Sequence, residues 1–453
     1  MTTIDREESD MQDQGRPEPM RRFIERAFPL CRSITGDGVR ATLDLIAEEL
    51  APVADALGDR FGWERHEVPS GTPVLDWTVP KEWNLVRATL DGPNGRVLDT
   101  DECNLHVVSY SVPVDVELDL EELRPHLHAL PDRPDAIPYR TSYYNETWGL
   151  CLDQRTLDGL AAGRYHVRID ATLEPGHLSY AEATIAGVGL GRESGRAPEI
   201  LISTHTCHPS MANDNLSGIA AVTEAARRLA VGPPLGHTVR LLFIPGTIGS
   251  ITWLERNPDA VDRIVGGLVI AGAGDRAPAT YKRSRRSDAR IDSVMARLVT
   301  AAGGEVIDYY PYGYDERQFC SPGFDLPVGR LSRTLHGTYP EYHTSNDDLD
   351  FVDDETLADT AGLVVDAVEA IDREPRFVNT APHGEPQLGR RGLYGTVGGA
   401  ITSKSDEMAV LWLLAYSDGE RSLDDIAALS GLDRDGLAVT AQSLVDAELL
   451  QPL

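Results

Sequence analysis

The stretch Ile202-Ser203-Thr204-His205-Thr206-Cys207-His208-Pro209-Ser210-Met211-Ala212-Asn213-Asp214-Asn215-Leu216-Ser217-Gly218 passes from an apolar run, through a turn, into a helical pattern. The run that leads into it, Glu199–His205, has the length and composition of a buried strand. Helical periodicity takes over across 216–229. Two imidazoles, a thiol and a carboxylate therefore gather at a strand end, within positions 205 to 214. Zinc takes borderline-soft donors of these kinds, and tight turns bring them together. Each residue also has a plainer role when taken singly. Asp214 can cap the following helix, and an isolated histidine is commonly structural.

Outward from this stretch the alternation of strand and helix repeats. Val239–Pro245 is a second apolar run, followed by a helix over 248–255. Gly267–Gly272 is a third, then come a helix over 291–302, a fourth strand at Leu326–Leu331 and a helix over 355–371. This pattern predicts an α/β fold with a mostly parallel sheet flanked by helices. Ligands of such sheets collect beyond the carboxyl ends of the strands. His343, in Tyr339-Pro340-Glu341-Tyr342-His343-Thr344-Ser345-Asn346-Asp347-Asp348, follows the fourth strand and can reach the same edge. Asp347 or Asp348 is the expected acceptor that orients its ring.

The remaining chain divides by pattern. Residues 1–18 are a polar tail expected to be disordered, and 19–65 read as a helical N-terminal part of the main domain. Residues 66–190 carry short β-prone runs at Val86–Leu90, Val97–Asp99, Leu105–Ser111, Tyr165–Leu173 and Ala181–Ala186. They read as an inserted β-rich domain whose aromatic clusters, around Trp77 and Tyr143-Tyr144, serve mainly in packing. Residues 191–378 form the metal-binding domain and 379–402 a proline- and glycine-rich linker. Residues 403–453 show three short helices and a terminal apolar stretch, the pattern of a winged helix.

The 453 residues suffice for about two to four domains. Forty-two basic residues against 72 acidic ones give a net charge of −30, which disfavours nucleic acid and anionic lipid as partners. From Ser403 onward three basic residues face ten acidic ones, so the winged helix is expected to make protein or intramolecular contacts rather than bind DNA. Five widely spaced cysteines argue against a disulfide framework. The first twenty residues lack the apolar centre of a signal peptide, and no apolar run approaches the ~20 residues of a membrane span. A cytoplasmic setting is the expectation.

These motifs together resemble the bacterial aminopeptidase-like proteins that join a zinc-exopeptidase domain to an inserted β domain and a C-terminal winged helix. The resemblance rests on Arg32-Ser33-Ile34-Thr35-Gly36, Cys207-His208-Pro209-Ser210, Asn213-Asp214-Asn215-Leu216-Ser217-Gly218, Asp315-Glu316-Arg317-Gln318-Phe319 and Pro340-Glu341-Tyr342-His343-Thr344-Ser345. Its core is similar to the wider zinc aminopeptidase and glutaminyl cyclase superfamily. It implies Asp214 and His343 as zinc ligands, with His205 or His208 as the first histidine; one zinc per protomer is the expectation because this chain departs from the second-metal pattern. It also implies two adjacent glutamates after the next strand, a general base and a second-metal ligand. Gly246 and Thr247 stand there instead. A base must then come from elsewhere, and the candidates are Glu316, Asp275 and Glu341, with Glu316 preferred. The basic run Tyr281–Arg286 can clamp an anion or serve as internal counter-charge, the second being favoured.

The implied function is a zinc-dependent aminopeptidase-like hydrolase of an amide bond in a small peptide-like substrate. Two other functions fit the same residues: a single-zinc acyltransferase or cyclase of glutaminyl-cyclase type, and a non-catalytic zinc-stabilised scaffold. No nucleic acid and no membrane partner are expected, and a homo-oligomer is left open.

Overall fold

The computed structural model describes residues 19–189, 197–391, 393 and 404–453. Its centre is an eight-stranded sheet. In chain order the strands are β1 (Phe61–Pro69), β2 (His177–Ile185), β3 (Glu199–His205), β4 (Thr238–Ile244), β5 (Ile264–Ile270), β6 (Thr280–Lys282), β7 (Glu305–Ile307) and β8 (Val328–Ser332). Across the sheet they run β1-β2-β4-β3-β5-β8-β6-β7. The middle ladders β4-β3-β5-β8 are parallel. Antiparallel pairs stand at β1–β2, β2–β4 and β6–β8.

Every residue of β3 is buried, as a central strand covered on both faces requires. Side chains alternate between two cores. Ile200 and Ile202 join the core under the helices Asp37–Leu57, Gly218–Val231, Arg290–Ala301 and Asp354–Arg373. Leu201 joins the opposite core, with Trp253 of the helix Ile248–Arg256 and with Trp83 and Val167 of the inserted region.

Several expected boundaries move. Phe61–Pro69 and His177–Ile185 are strands of the large sheet, so limits at 66 and 190 cut through it. The chain between them forms its own four-stranded sheet, Gly95–Asp99, Glu82–Gly92, Arg164–Glu174 and Val114–Asp119 in that order. Leu105–Ser111 is not a strand. Its backbone mixes local turns, with His106 N–H donating to Cys103 and Ser111 N–H to Val108, and isolated bridges, with Val108 N–H donating to Gly149 and Ser109 N–H to Arg140.

At the C-terminus the helices Lys404–Tyr416, Leu423–Ser430 and Arg434–Asp446 pack with a three-stranded sheet whose middle strand is Arg376–Asn379. The stretch expected as linker from 379 thus begins inside this unit, and Leu388 lies in its core. Four half-buried residues carry too little alternation to announce a strand. The tail 1–18 and most of 392–403 lie outside the described residues. Among the described residues no helix is long and apolar enough to cross a membrane.

Candidate metal and catalytic site

His205 ends β3, and the chain then doubles back to present Asp214 beside it. His205 Nε2 donates to Asp214 Oδ1 at 2.8 Å, and His343 Nε2 donates to Asp214 Oδ2 at 3.1 Å. The His208 ring centre lies 5.1 Å from that of His205 and 5.0 Å from that of His343. Donor atoms of His205, His208 and Asp214 all fall within 4.8 Å of one another. The structure therefore gathers all four sequence-predicted ligands and places both His205 and His208 at the site.

Burial by itself would raise the pKa of Asp214, but the imidazoles of His208, His205 and His343 outweigh it and hold the carboxyl well below its usual range. Burial pushes His208 down to about 3, which keeps its nitrogen lone pair free. His205 Nδ1 is buried without a partner among the described residues. Three imidazoles around one ionised, fully buried carboxylate are a donor set that suits a zinc-class cation.

The loops that present these side chains are held from several directions. Non-glycine residues rarely adopt positive φ, yet His208 (84°), Ser210 (47°), Thr247 (65°) and His343 (54°) all do so around this site. Such conformations persist where the surroundings over-determine them. Arg32, fully buried, donates through Nη2 to the carbonyl of His208 at 2.8 Å and through Nη1 to that of Ala27. The Asp214–Asn215 peptide is cis. Asp347 accepts from the backbone N–H of Asn213 at 2.6 Å and of Asp214 at 2.8 Å. It therefore fixes the ligand turn rather than the His343 ring, and Asp348 caps Asp350 and Phe351 instead. The His343 carbonyl accepts from Tyr139 N–H at 2.8 Å, so the inserted region clamps the ligand loop.

None of the three expected carboxylates lines the cavity in front of these ligands. Glu316 is fully buried and accepts from Lys282 Nζ at 3.0 Å, with Arg330 at 3.7 Å. Asp275 accepts from Asn213 Nδ2 at 3.1 Å and from Thr334 Oγ1 at 2.7 Å, behind the ligand turn. Glu341 is half-buried, and its backbone carbonyl accepts from Thr344. In the basic run Lys282 is internal counter-charge to Glu316, whereas Arg285 and Arg286 are exposed and both pair with Asp325.

The residue that sequence reasoning missed is Asp315. Its Oδ1 accepts from Thr247 N–H at 2.7 Å and from Ser250 Oγ at 2.9 Å. Its Oδ2 is buried and has no partner among the described residues, and burial raises the pKa of the carboxyl. It lines a cavity of about 280 Å³ together with His205, His208, His343 and Gly246. A Cβ at Gly246 would stand 3.8 Å from His205 Cβ. Asp315 thus brings a carboxylate to the turn where the resemblance implies glutamates. The signal was present as the Asp315-Glu316 pair, but either member was eligible.

A family model described as "Domain of unknown function (DUF4910)" matches residues 21–374. The chain belongs to the DUF4910 family. A winged helix-turn-helix model matches residues 376–452, beginning at the strand that the structure places in that unit. This DUF4910 chain is 45% identical over 432 residues to a Clostridium acetobutylicum protein named "Putative polysaccharide biosynthesis protein with aminopeptidase-like domain", covering 95% of each. It is also similar to a crystal structure from Clostridium acetobutylicum, of a "putative peptidase", with 43% identity, TM-score 0.79 and 96% of each chain covered.

More distant structures share the fold. A zinc aminopeptidase from Bacillus subtilis matches at TM-score 0.57 and 12% identity, over 79% of this chain and 96% of that one. A peptidase M28 precursor from Shewanella amazonensis matches at TM-score 0.54 and 13% identity, over 78% and 92%. The DUF4910 fold here is that of zinc aminopeptidase-type peptidases.

Proposed function

We propose that this chain is a zinc-dependent, aminopeptidase-like hydrolase that cleaves an amide bond of a small peptide-like substrate in the cytoplasm. The observation that carries this reading is Asp315. It is a buried carboxylate with one oxygen anchored and the other without a partner, on the wall of the cavity that the histidines also line. His205, His208, Asp214 and His343 would hold one zinc per protomer. Zinc bound there supplies Lewis-acid polarisation of a carbonyl group.

The chain's own residues supply the rest. Thr247 and Ser250 hold Asp315 Oδ1, which leaves Oδ2 as the oxygen that takes a proton from the attacking water and returns it to the leaving amine. Tyr139 and Tyr314 wall the cavity beside the histidines and help to exclude bulk water. The polysaccharide-biosynthesis name of the Clostridium relative extends the substrate class to amides of other small precursors.

One observation favours the scaffold reading. Four protein donors can fill a tetrahedral shell, as structural zinc sites do. The zinc-loaded full chain, assayed on a panel of aminoacyl amides, separates the two. Turnover that falls by about two to four decades in Asp315→Asn, with zinc retained, supports hydrolysis with this base. Unchanged turnover in the variant removes Asp315, and tight zinc without any turnover favours the scaffold. Product mass distinguishes hydrolysis from cyclisation.

A further inference from the structure

The cavity holds two donors that the proposed hydrolysis leaves unused. Arg317 lines it and, among the described residues, makes no ion pair or hydrogen bond, although its neighbour Glu316 is a carboxylate. Its Nε is buried and without an acceptor. Glu316 pairs instead with Lys282.

The second donor is His336, only 8% exposed, on the same cavity. Arg330 Nη1 lies 2.7 Å from His336 Nδ1. A guanidinium can only donate, so Nδ1 is the acceptor and the ring proton must sit on Nε2. That Nε2–H is buried and has no acceptor among the described residues. Burial and the Arg330 charge hold the ring neutral, so it is a donor fixed in one tautomer. The Tyr314 ring stands 5.0 Å from both the His205 and the His336 rings, so it links this donor to the metal-ligand cluster.

A buried donor without an acceptor is costly unless a ligand supplies one. We propose that Arg317 and His336 form a carboxylate-recognition subsite, and that the substrate is a small amide bearing a free carboxylate, such as a dipeptide or an acylated amino acid. The guanidinium supplies charge and directional N–H groups, and the imidazole supplies a neutral donor. In a chain of net charge −30, selection of an anion has to be local, made by groups already inside the cavity. This proposal rests on the hydrolase reading for the word substrate, while the binding subsite stands apart from catalysis.

The test compares leucyl-glycine with leucyl-glycinamide by calorimetric titration of the zinc-loaded full chain. Wild type should bind the acid about 10- to 100-fold more tightly than the amide, the range of a charge-assisted hydrogen bond. Arg317→Met should erase that preference and change amide binding less than about twofold. His336→Asn keeps an acceptor for Arg330 and removes the Nε2 donor, so it should weaken the acid selectively. Equal binding of acid and amide in wild type, no binding of either, or a preference unaltered in Arg317→Met overturns the subsite. Turnover of the same two compounds is read in parallel. An Arg317-dependent preference with no hydrolysis sinks the hydrolase reading alone. Hydrolysis of both at equal kcat/KM sinks the subsite alone.

Discussion

Asp315 and Glu316 are consecutive carboxylates that face different environments: Asp315 accepts from Thr247 N–H on the cavity wall, and Glu316 accepts from Lys282 Nζ in the core. A step of one residue in a helical turn swings the side chain by about 100°. That step separates the two roles. Glu316 compensates a lysine whose side chain is fully buried and whose pKa burial lowers. Asp315 lines the cavity, and its Oδ2 is buried without a partner among the described residues.

Glu316→Gln tests this division. It leaves Lys282 buried beside a neutral partner, and breaking a buried pair in this way costs about 3–5 kcal/mol. Denaturant unfolding should show that loss, while zinc content of the folded protein stays the same. Undiminished stability combined with a large fall in turnover would return Glu316 to the chemistry.

Zinc content reports on the ligand set. Wild type should retain about one zinc per protomer after dialysis, and Asp214→Asn or His343→Ala should retain close to none. His205 already meets Asp214 and is almost completely buried, so His205→Ala should strip the metal as fully. His208 makes no such bond, and His208→Ala should weaken retention less. Full zinc in His343→Ala would count against the assignment.

Stability should depend on His336 at acid pH. Burial and the charges of Arg330 and Lys282 lower its pKa from 6.5 to about 4, against the partial offset of Glu316 and Asp214. Between those values the unfolded chain takes a proton that the folded chain does not. Stability then falls as pH drops from about 6.5 to about 4, by on the order of 1–3 kcal/mol. His336→Asn removes the titration, so its unfolding free energy should change less over the same interval. Parallel pH profiles for the two proteins would contradict this.

The winged-helix unit should not bind DNA, because over residues 376–452 six basic residues face eleven acidic ones. Labelled duplex mixed with the full chain at about 0.15 M salt should show no shift up to micromolar protein, whereas non-specific binders reach Kd of about 10⁻⁴–10⁻⁶ M. A salt-sensitive shift at that concentration would reverse the conclusion.

Much of this was legible in the residues. The apolar run Glu199–His205 is an all-buried strand, and the helical patterns at 216–229, 291–302 and 355–371 lie within two residues of the helices observed. Long apolar periods are set by which side chains must leave water, a local property of the string. His205, His208 and Asp214 were legible for a related reason: few roles other than a cation's require such donors to crowd one strand end, whereas His343 entered from a separate motif downstream. Less legible were Phe61–Pro69 and Arg376–Asn379, strands whose alternation is weak and whose pairing partners are distant in sequence.

The sequence by itself determined the layered α/β architecture and the bare backbone at Gly246, and it offered Asp214 and His343 with either His205 or His208 as ligands without choosing between those two. Only the tertiary structure decided which carboxylate faces the cavity, that Asp347 braces the Asp214 turn, and that Arg317 and His336 are left without acceptors. The reason is physical. Burial of a side chain follows from its own chemistry and period, whereas pairing depends on which distant groups arrive beside it. Lys282 claims Glu316 across 34 residues, and Thr247 claims Asp315 across 68.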